Sequence, residues 1–164
     1  MCQLSLTTEL TTHRSWGSEM VHIYVGQRKV NFSLHKKLLG SASPFFDKAF
    51  NAGFHETATG EMILPDVDPY VFQGFMNWLY AGMLGNLAPD SETWSLAELV
   101  DLYLFSVAKF CNGLKKDAMD AIQDLLNQGD DYLGLSIVQK IYNNTFNTED
   151  APIRKFCCAM IRWH

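Results

Sequence analysis

Asp66-Val67-Asp68-Pro69 sets two carboxylates two residues apart, the spacing with which a calcium-binding loop begins. The further oxygen ligands and the glycine of such a loop do not follow. Asp68 directly before Pro69 reads instead as the N-cap of a helix that carries proline at its first position. Five histidines are present. His35 falls where a helix begins and is read as a packed, hydrogen-bonded helix-start residue, not a base; His22 alternates out of an apolar strand face. The four cysteines, Cys2, Cys111, Cys157 and Cys158, form no C-x-x-C pair. Adjacent Cys157 and Cys158 cannot chelate as a zinc ribbon does and would rarely bridge each other, so the thiols are read as reduced and mostly buried. There is no glycine-rich phosphate loop, no H-E-x-x-H and no G-x-S-x-G. Asn31-Phe32-Ser33 and Asn143-Asn144-Thr145 match glycosylation sequons, but Asn31 lies in a predicted strand and no secretory signal is read. The expectation is a chain with no catalytic residues, no cofactor and no metal.

The bulk properties agree with that. A length of 164 residues suits one domain with a full core, or a domain with a short extension. At 48% hydrophobic and 19% charged, the chain has globular rather than disordered composition. Its net charge of -5, without a basic stripe, argues against nucleic-acid binding through phosphate neutralisation. No apolar window reaches the length of a membrane span, and the first twenty residues, which carry His13, Arg14 and Glu19, hold no apolar block of signal-peptide type. A cytoplasmic or nuclear protein is expected.

The elements that position these residues follow from the apolar pattern. Residues 1–18, rich in Thr and Ser, read as a mobile lead-in. Val21, Ile23 and Val25 alternate with His22 and Tyr24; Val30, Phe32 and Leu34 alternate with Asn31 and Ser33. With Gly26-Gln27 between them, these runs predict a β-hairpin with one buried face. Ser33 or His35 opens a helix with Leu38 and Leu39 inward. Ser43-Pro44 starts a second, whose apolar face is Phe45, Phe46, Ala49 and Phe50 and whose end is Gly53. Met62-Ile63-Leu64 is predicted as a short buried strand, and Asp68-Pro69 opens a helix through Tyr80. Gly82 and Gly85 flank a short extended stretch, Met83-Leu84. Ser95-Leu96-Ala97-Glu98 is a capping box that launches Leu99, Val100, Tyr103, Leu104 and Val107. A break at Cys111-Asn112-Gly113 precedes a helix from Leu114, and two more are predicted near 132–142 and 152–163. The class is α+β, helices dominant.

This order, with these residues, resembles the BTB/POZ family. "VHIYVG" followed by "VNFSLHKKLLGSASPFF" is similar to the family's first hairpin and its helical hairpin. "ILPDVDPYVFQGFMNWLYAG" resembles the family's acidic helix-opening stretch and Leu-Tyr-x-Gly segment, and "AKFCNGLKKDAMDAI" its closing element. The tail "IYNNTFNTEDAPIRKF" resembles segments that follow BTB domains in fungal proteins. The resemblance implies a small β-sheet with an N-terminal hairpin, capped by a helical bundle and followed by extra C-terminal helices. The expected division is a lead-in over 1–18, the BTB/POZ domain over 19–127 and a helical extension over 128–164.

The resemblance also implies a function: a non-enzymatic protein–protein interaction module, commonly a homodimer, often an adaptor for a cullin-3 ubiquitin ligase. The rival is a stand-alone dimerisation or scaffold module, as in transcriptional regulation, without a ligase role. Cullin-binding members carry an apolar-x-Glu motif after the second helix of the helical hairpin, where this chain has Phe54-His55-Glu56. An apolar anchor beside a carboxylate suits a partner's pocket; the bland reading makes Phe54 a core or loop filler and Glu56 a solvated charge. Many dimeric members pair an acidic residue at the start of the first strand with a basic one at the start of the first helix. Here Glu19 or Met20 takes the first place, just before Val21, and Lys36 the second. Two separate surface charges are the slightly favoured reading, because exposed pairs contribute little. No MATH, Kelch or zinc-finger pattern for holding a client occurs in these residues.

Overall fold

The computed structural model describes residues 16–84, 94–128, 132–145 and 151–162. Strands β1 (Met20–Val25) and β2 (Val30–His35) form the antiparallel hairpin, in register from Met20 opposite His35 to Val25 opposite Val30. The hairpin turn brings Gly26, at φ 73°, so close to the Pro69 ring that an added Cβ would lie 3.0 Å from its Cγ. Both facts require glycine there. Helices α1 (Lys36–Ala42), α2 (Pro44–Asn51) and the single-turn α3 (His55–Thr59) lead to β3 (Glu61–Leu64). β3 lies parallel to β1, giving a mixed sheet in the order β2-β1-β3. α4 (Pro69–Ala81), α5 (Leu96–Ala108), α6 (Asn112–Gln128), α7 (Leu135–Asn144) and α8 (Pro152–Arg162) complete the chain.

The starts of α2, α4 and α5 are those the sequence predicts. Ser43 caps α2 through the Phe46 N–H, with Pro44 first inside, and its hydroxyl also donates to the Lys109 carbonyl at 2.5 Å. Asp68 caps α4 through the Tyr70 N–H, and Ser95 and Glu98 form the reciprocal capping box of α5. His35 precedes α1, with its backbone N–H and Nδ1 both on the Tyr80 hydroxyl, at 3.2 Å and 2.8 Å.

Two apolar cores share α5. One joins the inner sheet face (Val21, Ile23, Val25, Phe32, Leu34) to α1, α2 and α4, and turns on an aromatic cluster. Within it Phe75 lies between Phe46, Phe72 and Phe105, at centroid distances of 5.9, 5.5 and 5.1 Å. The other packs Leu99, Val100 and Tyr103 of α5 against α6, Ile141 of α7, and Ile153 and Cys157 of α8. The helices after 128 therefore fold onto the domain itself.

Several expectations are corrected. Only alternate residues of β3 are buried, and Ile63 is 54% exposed because the sheet's outer face lies open. Val30, expected on the buried face, sits exposed at the hairpin end. Met83-Leu84 forms no strand: Gly82 closes α4 as its C-cap and a bend follows; Gly85 lies outside the described residues. The break before α6 falls at 109–111, with Phe110 at φ 55°, and Gly113 lies inside the helix against the Trp78 indole. Residues 1–15 of the expected lead-in, and Trp163, lie outside the described residues. Trp16, however, packs on His35 and Tyr80 at centroid distances of 5.4 and 5.3 Å.

Candidate interaction surface

Phe54, His55 and Glu56 stand where α2 hands over to α3. α2 ends at Asn51, and Gly53 turns the chain at φ 80°, a conformation that glycine adopts without steric cost. Phe54 follows in extended conformation as the N-cap residue of α3, with no side-chain capping bond of its own. The residue is 58% exposed and belongs to neither apolar core, so it is not a core filler. His55 is exposed and Glu56 half-buried in the first turn of α3. Among the described residues no ion pair involves Glu56.

This knuckle is held by backbone and by one hydroxyl. The Thr57 N–H donates to the Phe54 carbonyl at 3.0 Å, and the Gly60 N–H to the Glu56 carbonyl at 2.9 Å. Thr57 Oγ1 accepts from the Gly53 N–H and donates to the Ala49 carbonyl, each at 3.1 Å. An exposed aromatic residue and a half-buried glutamate thus stand two residues apart on a hydrogen-bonded turn. The sequence reading missed α3 and Thr57, since a one-turn helix is too short to show a period.

The second predicted group gathers at the start of the hairpin. Lys36 Nζ pairs with Glu19 Oε1 at 2.9 Å, and the Lys36 backbone N–H donates to the Glu19 carbonyl, also at 2.9 Å. The pair forms within one chain, contrary to the favoured reading of two separate charges. The Lys36 side chain is only 16% exposed whereas that of Glu19 is 70% exposed. Met20 is 40% exposed beside the pair. Val21 is buried, its side chain committed to the first core, so it has no surface to offer a partner. Glu19 and Lys36 line a cleft that runs past Gly40 to Asp47 and Asn51 of α2.

Among the described residues no group of His, Cys, Asp and Glu is placed to hold a metal ion. No described helix is long and apolar enough to cross a membrane.

The family model of the BTB/POZ domain matches residues 20–111, more than half of the chain. The chain belongs to the BTB/POZ family, whose domain is a non-catalytic protein–protein interaction module that typically self-associates. It is 34% identical over 64 residues to a BTB/POZ domain-containing protein of Arabidopsis thaliana, covering 39% of this chain and 8% of that protein. It is 29% identical over 76 residues to Kelch-like ECH-associated protein 1A of Danio rerio, covering 46% of this chain and 13% of that protein. The chain thus spans a small part of these relatives' lengths. Among solved structures it is similar to the BTB domain of zebrafish PATZ1, with a TM-score of 0.49, 18% identity, and coverage of 63% of this chain and 75% of that one.

Proposed function

We propose that this domain self-associates and acts as a substrate adaptor for a cullin-3 ubiquitin ligase, holding the cullin with Phe54 and Glu56. The observation that carries the reading is the exposure of Phe54, 58% at the N-cap of α3, with Glu56 in the first turn of that helix. Burying such an anchor in a partner's pocket supplies affinity, and the neighbouring charge supplies orientation. Self-association is proposed through the hairpin start, where Met20 stands exposed beside Glu19 and Lys36, in a two-fold arrangement. A cytoplasmic or nuclear place belongs with this reading, and the tail's likeness to fungal BTB proteins supports a fungal-type member.

The test is calorimetric titration with a cullin-3 N-terminal fragment, on samples whose mass is first measured by light scattering. Expected are a dimer at micromolar concentration and binding near micromolar. Phe54→Ala and Glu56→Ala should each weaken that binding by about tenfold or more, near 1.4 kcal/mol. A dimer that ignores the cullin would favour the stand-alone scaffold reading, as in transcriptional regulation. A monomer would remove self-association.

A further inference from the structure

We infer that Thr57 is the positioning residue of the Phe54 anchor, setting the turn from which the ring projects; the inference rests on the cullin-adaptor reading. The last carbonyls of a helix lose their intrahelical donors, and each needs another. At the end of α2, the Lys48 carbonyl is met by the Ala52 N–H at 2.9 Å. The next bond of that series would run from the Gly53 N–H to the Ala49 carbonyl. It runs instead through a side chain: the Gly53 N–H donates to Thr57 Oγ1, and that hydroxyl donates to the Ala49 carbonyl.

One hydroxyl thereby ties together the last turn of α2, the left-handed Gly53 and the first turn of α3. Phe54 is the residue between those ties. Its exposed ring has little packing of its own to place it, so its direction is set by the backbone that carries it. Removing the hydroxyl frees the Gly53 N–H to close directly on Ala49 or to bond water, and either change re-aims Phe54. An anchor fixed before binding loses less entropy on docking than one that must be ordered by the partner.

The test is a double-mutant cycle in the same cullin titration. Thr57→Val is nearly isosteric and removes both bonds; Thr57→Ser keeps them. Thr57→Val should weaken binding roughly three- to tenfold, and Thr57→Ser should stay within about twofold of wild type. In a Phe54→Ala background, Thr57→Val should cost nothing further. If wild type binds and Phe54→Ala is impaired while Thr57→Val binds like wild type, the inference is overturned and the adaptor reading stands. Equal losses in both backgrounds overturn it too, since Thr57 would then act by some route other than Phe54. Absence of binding by wild type removes the adaptor reading and the inference with it. Amide exchange at Gly53 in the wild-type protein provides a check that needs no variant: protection is expected, and exchange at an unprotected loop rate overturns the inference.

Discussion

At the scale of single residues, the cysteines show how position sets reactivity. Cys111 is fully buried, and burial pushes its thiol from an ordinary value of 9.0 up to about 11, against the lowering influence of its Ser43 hydrogen bond and the Lys109 charge. Burial likewise raises Cys157, whereas Cys158 is exposed, with its sulfur 3.0 Å from the Tyr142 hydroxyl. Alkylation of the native protein, mapped by mass spectrometry, should modify Cys158 and spare Cys111 and Cys157 until the chain unfolds. The same burial makes stability depend on pH. Below 9.0 the Cys111 thiol is neutral in both states, and its contribution is whole. Above 9.0 the unfolded chain ionises first, so stability falls as pH rises toward 11. Urea unfolding across pH 8 to 10.5 should show a shallower fall for Cys111→Ala than for wild type; identical slopes would show that the thiol does not carry the effect.

At the scale of elements, the rules that start helices needed no tertiary help, because each cap lies within a few residues of the group it satisfies. Ser43-Pro44, Asp68-Pro69 and Ser95 with Glu98 could be read directly. How closely the elements approach was not legible. Gly74 of α4 packs where Trp94 and α5 come near: an added Cβ would lie 2.7 Å from the end of the Trp94 ring and 3.2 Å from Leu102 Cδ2. Gly74→Ala would gain about 1 kcal/mol of helix propensity and cost about 1–3 kcal/mol through overpacking. The expected result is a net loss of up to about 2 kcal/mol, read as a lower urea midpoint at unchanged slope. A raised midpoint would mean that Trp94 moves aside without cost.

At the scale of the whole molecule, the helices after 128 are part of the fold. Ile141 of α7 is fully buried in the second core, and Lys140 pairs with Asp101 of α5 beside it. Ile141→Ala should destabilise the protein by about 2–5 kcal/mol, the usual cost of emptying such a site, in a single cooperative transition. A loss below about 1 kcal/mol, or a separate early transition, would show α7 and α8 to be a loosely attached tail. A face of α5 committed to α6, α7 and α8 also limits where partners can dock. The Phe54 knuckle and the hairpin start stand apart from that core.

The sequence by itself determined the starts of α2, α4 and α5 and, Val30 apart, the inward faces of the hairpin, α2 and α4, because these rest on short-range period and capping; the family was legible through the likeness of whole stretches such as "VHIYVG". It also placed Phe54, Glu56, Glu19 and Lys36 as residues worth testing. Only the tertiary structure decided which apolar residues stay outside. Phe54, Met20 and Ile63 are as apolar as their buried neighbours, and exposure depends on what packs over a position rather than on the side chain placed there. It likewise closed the Glu19–Lys36 pair and folded α7 and α8 onto α5. Each of these joins elements far apart in the chain or turns on packing, and neither leaves a local period to read.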